Sequence, residues 1–225
     1  MTFVLTNDDG IDAPGLQALL QAIDGKGIVV APLHHHSGCS HQVTTTRSIP
    51  VHKRNEFRYA VDGTPADCTR LALSQLVPDV SYVLSGINAG GNLGSDTYIS
   101  GTVAAVREAA MLGIPGIAVS HYIKRGLAID WDMAAKQAAR VFDKLLPQSI
   151  EPGSFWNVNF PHLAPGSPEP EIVFCPLCRQ PLPVAYERDG DNFRYSGEYS
   201  QRKRDPQSDV DVCFSGSIAI TLIRL

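Results

Sequence analysis

Two adjacent carboxylates follow the first apolar run of the chain. Phe3 to Thr6 reads as a buried strand, and Asn7-Asp8-Asp9-Gly10 comes directly after it, at the strand's carboxyl end. In open parallel sheets that edge is where ligands bind. Neighbouring carboxylates repel each other, and a hard divalent cation with oxygen ligands removes the conflict, so the pair predicts a metal site. The alternative is a polar turn whose aspartates cap the helix that follows. These four residues alone leave both readings open.

A second group of residues follows another predicted strand. Ser85-Gly86-Ile87-Asn88-Ala89-Gly90-Gly91-Asn92-Leu93-Gly94-Ser95-Asp96 mixes glycines with amides and hydroxyls, a composition that lets backbone N–H groups wrap an anion. It leads into Ser100-Gly101-Thr102 at a helix start, where unpaired N–H groups and the positive dipole end suit a phosphate. An ordinary turn capped by Ser100 is the simpler reading, and the length of the loop argues against it. Between Asn55 and His121 the only basic side chains are Arg58, Arg70 and Arg107. A metal must therefore supply most of the positive charge, which points to hydrolysis of a phosphate monoester by a metal-activated water. Asp8 or Asp9 is the candidate acceptor of that water's proton. A P-loop triphosphatase is excluded because its glycine-rich loop ends in Gly-Lys-Ser/Thr. A phosphatase working through an aspartyl-phosphate needs Asp-x-Asp where this chain has Asp8-Asp9-Gly10.

The elements that must position these residues alternate between short apolar runs and helical patterns, the rhythm of a parallel sheet wound with crossover helices. Leu16, Leu19, Leu20 and Ile23 share a face of a helix over 13–23, which Gly25 and Gly27 close before a strand at 28–31. Two extended segments at 43–51 and 57–62, joined by a charged turn around 53–56, predict an inserted β-hairpin. Thr64 as N-cap, Pro65 at the first helical position and Asp67 in the first turn start a helix over 66–76. A strand at 79–85, a loop over 86–101, a helix at 102–112, a strand at 116–120, a helix at 131–146 and a strand at 156–160 complete the winding. Beyond Pro161 prolines, polar residues and short β-like pieces, 172–174 and 217–223 among them, read as a β-rich extension that packs back. The expectation is a three-layer α/β/α, Rossmann-like domain with a mostly parallel sheet over 1–160, containing the hairpin at about 43–62. A β-rich C-terminal extension over 161–225 follows it.

Composition narrows the function classes. The 225 residues are 44% hydrophobic and 19% charged, enough apolar material for one large core and against disorder. Nineteen basic against twenty-three acidic side chains give a net charge of -4, without the basic excess that stable nucleic-acid binding needs. Five scattered cysteines, Cys39, Cys68, Cys175, Cys178 and Cys213, do not form the dense even framework of a secreted disulfide domain. With no basic leader and no apolar stretch of membrane-spanning length, the expected location is the cytoplasm.

The chain resembles the SurE (survival protein E) family of metal-dependent phosphatases acting on nucleoside 5'-monophosphates. The likeness is carried by Thr6-Asn7-Asp8-Asp9-Gly10, Ala13-Pro14-Gly15, Ala31-Pro32, Ser37-Gly38, Gly63-Thr64-Pro65-Ala66-Asp67-Cys68, the Ser85 to Gly94 loop and Ser100-Gly101-Thr102-Val103-Ala104-Ala105, in family order. The resemblance implies a 5'-nucleotidase with one divalent ion per subunit, magnesium or manganese. Asp8, Asp9, Ser37 and Asn88 would be its oxygen ligands, and Asn7, Asn92, Ser100, Gly101 and Thr102 would contact phosphate or substrate. It also implies a homodimer through swapped C-terminal extensions. The chain stops at Leu225, where relatives commonly continue into a terminal helix, and this puts a tetramer in doubt. A non-catalytic nucleotide-binding or regulatory protein that keeps the pocket is the alternative from another class.

Other motifs carry less. His34-His35-His36, with His41 close behind, invites a transition-metal reading, but adjacent loop residues converge poorly on one ion, and they read as a polar rim beside the site, as does His121. Cys175-Pro176-Leu177-Cys178 has redox or zinc spacing without a second pair. Arg202-Lys203-Arg204, following Tyr186, Tyr195 and Tyr199, reads as a solvated basic loop.

Overall fold

The computed structural model describes all residues, Met1–Leu225. One nine-stranded sheet organises the chain in the order β3-β4-β2-β1-β5-β6-β7-β11-β8. The strands are β1 (Phe3–Thr6), β2 (Ile28–Pro32), β3 (Val51–Asn55), β4 (Arg58–Val61), β5 (Tyr82–Ala89), β6 (Gly116–His121), β7 (Ser154–Phe160), β8 (Ile172–Phe174) and β11 (Ile218–Arg224). Strands β4, β2, β1, β5, β6 and β7 pair in parallel. Strand β3 runs antiparallel at one edge; toward the other, β11 pairs antiparallel with β7 and in parallel with the edge strand β8.

The three layers follow from strand alternation, since successive side chains point to opposite faces. Leu5, Val29, Leu84 and Ile117 face α1 (Pro14–Gln21) and α4 (Trp131–Leu145), whose Leu16, Leu19, Ala138 and Phe142 fill one core layer. Their neighbours Val4, Val30, Val83 and Ala118 point the other way, onto Cys68 of α2 (Pro65–Leu71) and Val103, Val106 and Ala109 of α3 (Gly101–Met111). A satellite cluster joins Val210 and Cys213 of α5 (Asp209–Phe214) to Leu93, Cys178 and Ala219.

Several elements differ from the sequence expectation. The hairpin is narrower than 43–62: Lys53 to Asn55, read as the turn, belongs to β3, and β4 extends the central sheet alongside β2. The pattern misled because edge strand β3 is exposed along its whole length and so has no apolar alternation. Strand β5 runs on through Gly86 to Ala89, which were expected to be loop. Residues 161–225 divide. Strands β8 and β11 complete the central sheet, while β9 (Tyr186–Asp189) and β10 (Asn192–Tyr195) form a separate exposed hairpin. The helix expected over 66–76 is α2 followed by one wider turn at Ala72–Leu76.

The N-terminus of α2 bears the Thr64 cap that its sequence predicts, and Asp67 completes it as a capping box. Thr64 Oγ1 accepts from the Asp67 N–H (3.1 Å), and Asp67 Oδ2 accepts from the Thr64 N–H (3.0 Å). Asp67 also accepts from the Thr44 N–H (2.8 Å) and the Thr44 hydroxyl (2.7 Å), tying the 42–46 segment to the helix. Asp67→Ala strands these donors in a buried setting and is expected to cost about 3 kcal/mol, measured by chemical denaturation.

Candidate functional site

The winding reverses between β1 and β5. From β1 the chain steps outward to β2 and β4, then crosses to β5 on β1's other side and proceeds to β6 and β7. The carboxyl ends of β1 and β5 therefore open a crevice at the topological switch point, where open α/β sheets bind ligands. Asp8 and Asp9 follow β1, and Asn88 and Ala89 end β5 beside them. A register irregularity in the β5–β6 pairing between Ser85 and Asn88 bends this end of the strand.

Asp8 is 4% exposed. Its Oδ1 accepts a 2.5 Å hydrogen bond from the Thr102 hydroxyl in the first turn of α3. Gly101 makes that approach possible, because a Cβ there would lie 2.9 Å from Asp8 Cβ and 3.1 Å from Cys39 Sγ. Burial pushes the Asp8 carboxyl up to about 6, with the Thr102 bond opposing and the charge of Asp9 adding to the rise. Asp9 is more open. Its Oδ2 accepts from the Ala89 N–H (3.2 Å), and its Oδ1 lies 3.4 Å from His35 Nδ1. Neither aspartate caps α1, whose N-cap Ala13 receives no side-chain hydrogen bond. The aspartates are therefore not the caps of the helix that follows.

The other expected residues fall into three groups. Ser100 caps α3, its Oγ accepting from the Val103 N–H (3.0 Å), so Ser100, Gly101 and Thr102 form a helix start directly against Asp8. Ser37 is exposed on the loop after β2, and that loop is pinned to the site by the His36 N–H donating to Asp8 O (2.7 Å) and Ser40 Oγ donating to Tyr98 O (3.1 Å). Asn88 donates its Nδ2 to Gly90 O (2.8 Å), leaving the oxygen end of the amide for another partner. Asn7 and Asn92 are turned inward. The buried Asn7 amide clasps both the N–H and the carbonyl of Gly10 and shapes the turn that presents the aspartates. Asn92 Nδ2 donates to Ser120 Oγ (2.7 Å), and its backbone is held by Asn157 and Asn159.

Asn157, Asn159 and Ser120 were missed in the sequence. The signal was present: asparagines two apart on a strand otherwise as apolar as Trp156 to Phe160 must share one face and find polar partners there. His121, expected at the rim, is the buried last residue of β6. Its Nδ1 donates to Tyr122 O (2.8 Å), and burial lowers it to about 4, so it stays neutral. Arg202, expected in solvent, is buried and paired with Asp96 (2.8 Å). All five cysteines are free.

The donor chemistry suits a hard divalent cation. No three His, Cys, Asp or Glu side chains converge on one point. What the crevice offers is a carboxylate pair that loses its mutual repulsion when a cation binds, together with neutral amide and hydroxyl oxygens.

Fold and site together define a doubly wound α/β protein with an acidic pair set against the start of α3. Residues 3–182 match the family described as Survival protein SurE, and the chain belongs to that family. It is 62% identical over 226 residues to a protein of Nostoc sp. (strain PCC 7120 / SAG 25.82 / UTEX 2576) that carries a provisional 5'-nucleotidase name, with 100% of both chains covered. To the 5'-nucleotidase SurE of Rhizorhabdus wittichii it is 41% identical over 173 residues, covering 73% of this chain and 68% of that one. The crystal structure of the SurE protein from Aquifex aeolicus superposes with a TM-score of 0.88 at 31% identity, covering 100% of this chain and 93% of that one. No helix is long and apolar enough to cross a membrane.

Proposed function

We propose that the protein is a divalent-metal-dependent phosphomonoesterase that hydrolyses nucleoside 5'-monophosphates to nucleoside and phosphate. The observation that carries this reading is the hydrogen bond between Thr102 and Asp8, which joins the acidic pair to the N-terminus of α3. Cation and phosphoryl group would then meet at one point. The 5'-nucleotidase names of the relatives support the reaction class.

Asp8, Asp9, the Ser37 hydroxyl and the Asn88 amide oxygen would hold magnesium or manganese. When bound, the ion supplies Lewis acidity toward a phosphoryl oxygen and lowers the pKa of water. The chain's own residues do the rest. Free N–H groups of Gly101 and Thr102 at the start of α3, with the Ser100 hydroxyl, hold the phosphoryl oxygens while charge develops on them, and the Thr102 hydroxyl orients Asp8. Asp9, the more open carboxylate, is the proton acceptor for the attacking water, because Asp8 is already engaged by Thr102. Asn7 and Asn92 act from behind by fixing the two turns. The exposed hairpin β9–β10, with Tyr186 and Phe193 in solvent, supports a homodimer formed by this region, and the expected location is the cytoplasm.

The test is a chelator-stripped preparation assayed on a nucleoside monophosphate panel with magnesium, manganese or zinc. Phosphate release is expected only after magnesium or manganese is restored. Nucleotide binding without release under every metal would sink the enzymatic reading in favour of a regulatory nucleotide-binding protein.

A further inference from the structure

The first residue of the basic run Arg202-Lys203-Arg204 does not lie in solvent. Arg202 is buried, with a side chain 0% exposed, and it lines a cavity of about 610 Å³ on the same edge of the sheet as Asp8. Tyr122 follows β6 and Pro161 follows β7 on this wall. At roughly 4.8 Å per strand, the cavity stands about 10–15 Å from the carboxyl end of β1.

Its lining contains three cations, Lys124, Arg202 and Arg204, with the hydroxyls of Ser200 and Ser215 and no carboxylate. Two of the cations have counter-charges outside the lining: Arg202 Nη1 donates to Asp96 Oδ2 (2.8 Å), and Arg204 Nε lies 3.3 Å from Asp211 Oδ1. Arg202 Nε is nevertheless buried without any hydrogen-bond partner. A buried guanidinium donor left unpaired is costly, and native structures normally satisfy such groups. Lys124 is exposed and forms no ion pair. A free ammonium, the exposed Arg204 guanidinium and two hydroxyls around one opening, with the buried Arg202 charge behind the wall, match the several oxygens of a phosphate. The cavity is also wired to the catalytic crevice. Asp96, held by Arg202 and by the Tyr199 hydroxyl, accepts at its backbone oxygen from the Ser100 N–H (3.0 Å).

We propose that this cavity is a second phosphate-binding site, taking either the distal phosphate of a substrate phosphorylated at both ends or free inorganic phosphate. The first source rests on the phosphomonoesterase reading; the second does not.

Inorganic phosphate titrated into the full-length, metal-free protein by calorimetry tests the site. The variant is Lys124→Ala combined with Arg204→Ala, since both side chains are exposed and their loss leaves the core intact. Binding is expected to weaken at least about tenfold in this variant and to persist in Asp9→Asn. An isotherm unchanged by the double substitution, or no binding to the unsubstituted protein beyond what Asp9→Asn removes, would overturn the proposal. The source is read from kcat/KM for a dinucleotide carrying both a 5'- and a 3'-terminal phosphate, long enough to span the two sites, relative to the 5'-monophosphate. A fall in that ratio in the double variant, carried by KM while kcat on the monophosphate holds, assigns the site to substrate. An unchanged ratio with phosphate binding lost assigns it to free phosphate. If Asp9→Asn keeps full hydrolysis, the catalytic reading fails while the isotherm still decides the cavity.

Discussion

Replacing Asp8 by asparagine is expected to lower phosphate release about a thousandfold while making the metal-free protein harder to unfold. The two effects have one cause. Asp8 is nearly sealed from solvent with a single hydrogen-bond donor, Thr102, and a second carboxylate beside it. Its pKa stands at about 6 in the folded chain against an ordinary 3.8. The folded protein therefore holds more protons than the unfolded chain between those values, and stability falls as pH rises across that interval. Below pH 3.8 the group costs nothing, and above about 6 the penalty is complete. Asparagine keeps the shape and removes the charge. At neutral pH it should raise the unfolding free energy of the stripped protein by on the order of 2 kcal/mol, with the gain vanishing at acid pH. Added magnesium or manganese should stabilise the unsubstituted protein and have little effect on Asp8→Asn. Thermal melts at several pH values, with and without metal, check each part. A variant that loses activity because it unfolds would melt lower, not higher.

Much of this site was legible because its chemistry is local in sequence. Asp8-Asp9 follows a strand immediately, and Ser100-Gly101-Thr102 opens a helix, so each half shows its character within a few residues. The apolar pattern was equally informative for the central strands, which are buried on both faces and read as short apolar runs. It failed at β3, whose side chains all face water, and at Gly86 to Ala89, where glycine and asparagine look like loop yet remain paired with β6. What local pattern does not contain is contact between distant segments. The Asn92 clasp draws on Ser120, Asn157 and Asn159 from two other strands, and Arg202 reaches back 106 residues to Asp96. A basic triplet after a tyrosine-rich stretch gives no sign that its first member is interior. That burial exists only once β11 inserts beside β7 and the segment before it folds over the sheet edge.

Gly15→Ala is expected to be the most damaging single-methyl addition in the chain, lowering Tm by about 10 °C. A Cβ at Gly15 would sit 1.9 Å from the carbonyl oxygen of Ile87 and 3.0 Å from Trp131 Cζ3. The first obstacle is backbone in the carboxyl-terminal part of β5, so no rotamer change relieves it, and α1 must lift off the sheet or Ile87 must move. Overpacking of this kind costs about 3 kcal/mol, which for a domain of this size corresponds to the stated shift. Gly25→Ala is the comparison: its φ of +72° strains any side chain, but nothing lies within 4 Å, so about 1 kcal/mol is expected. The functional consequence separates the two variants further. Ile87 precedes Asn88, and Ala89 donates to Asp9, so a displaced β5 end pulls the amide oxygen and the carboxylate out of register. At a temperature where both variants remain folded, Gly15→Ala should therefore need a higher concentration of divalent ion for half-maximal activity than Gly25→Ala does. Equal metal requirements would mean that the strain is absorbed by α1 and Trp131 alone, and that the position of β5 does not set the geometry of the crevice.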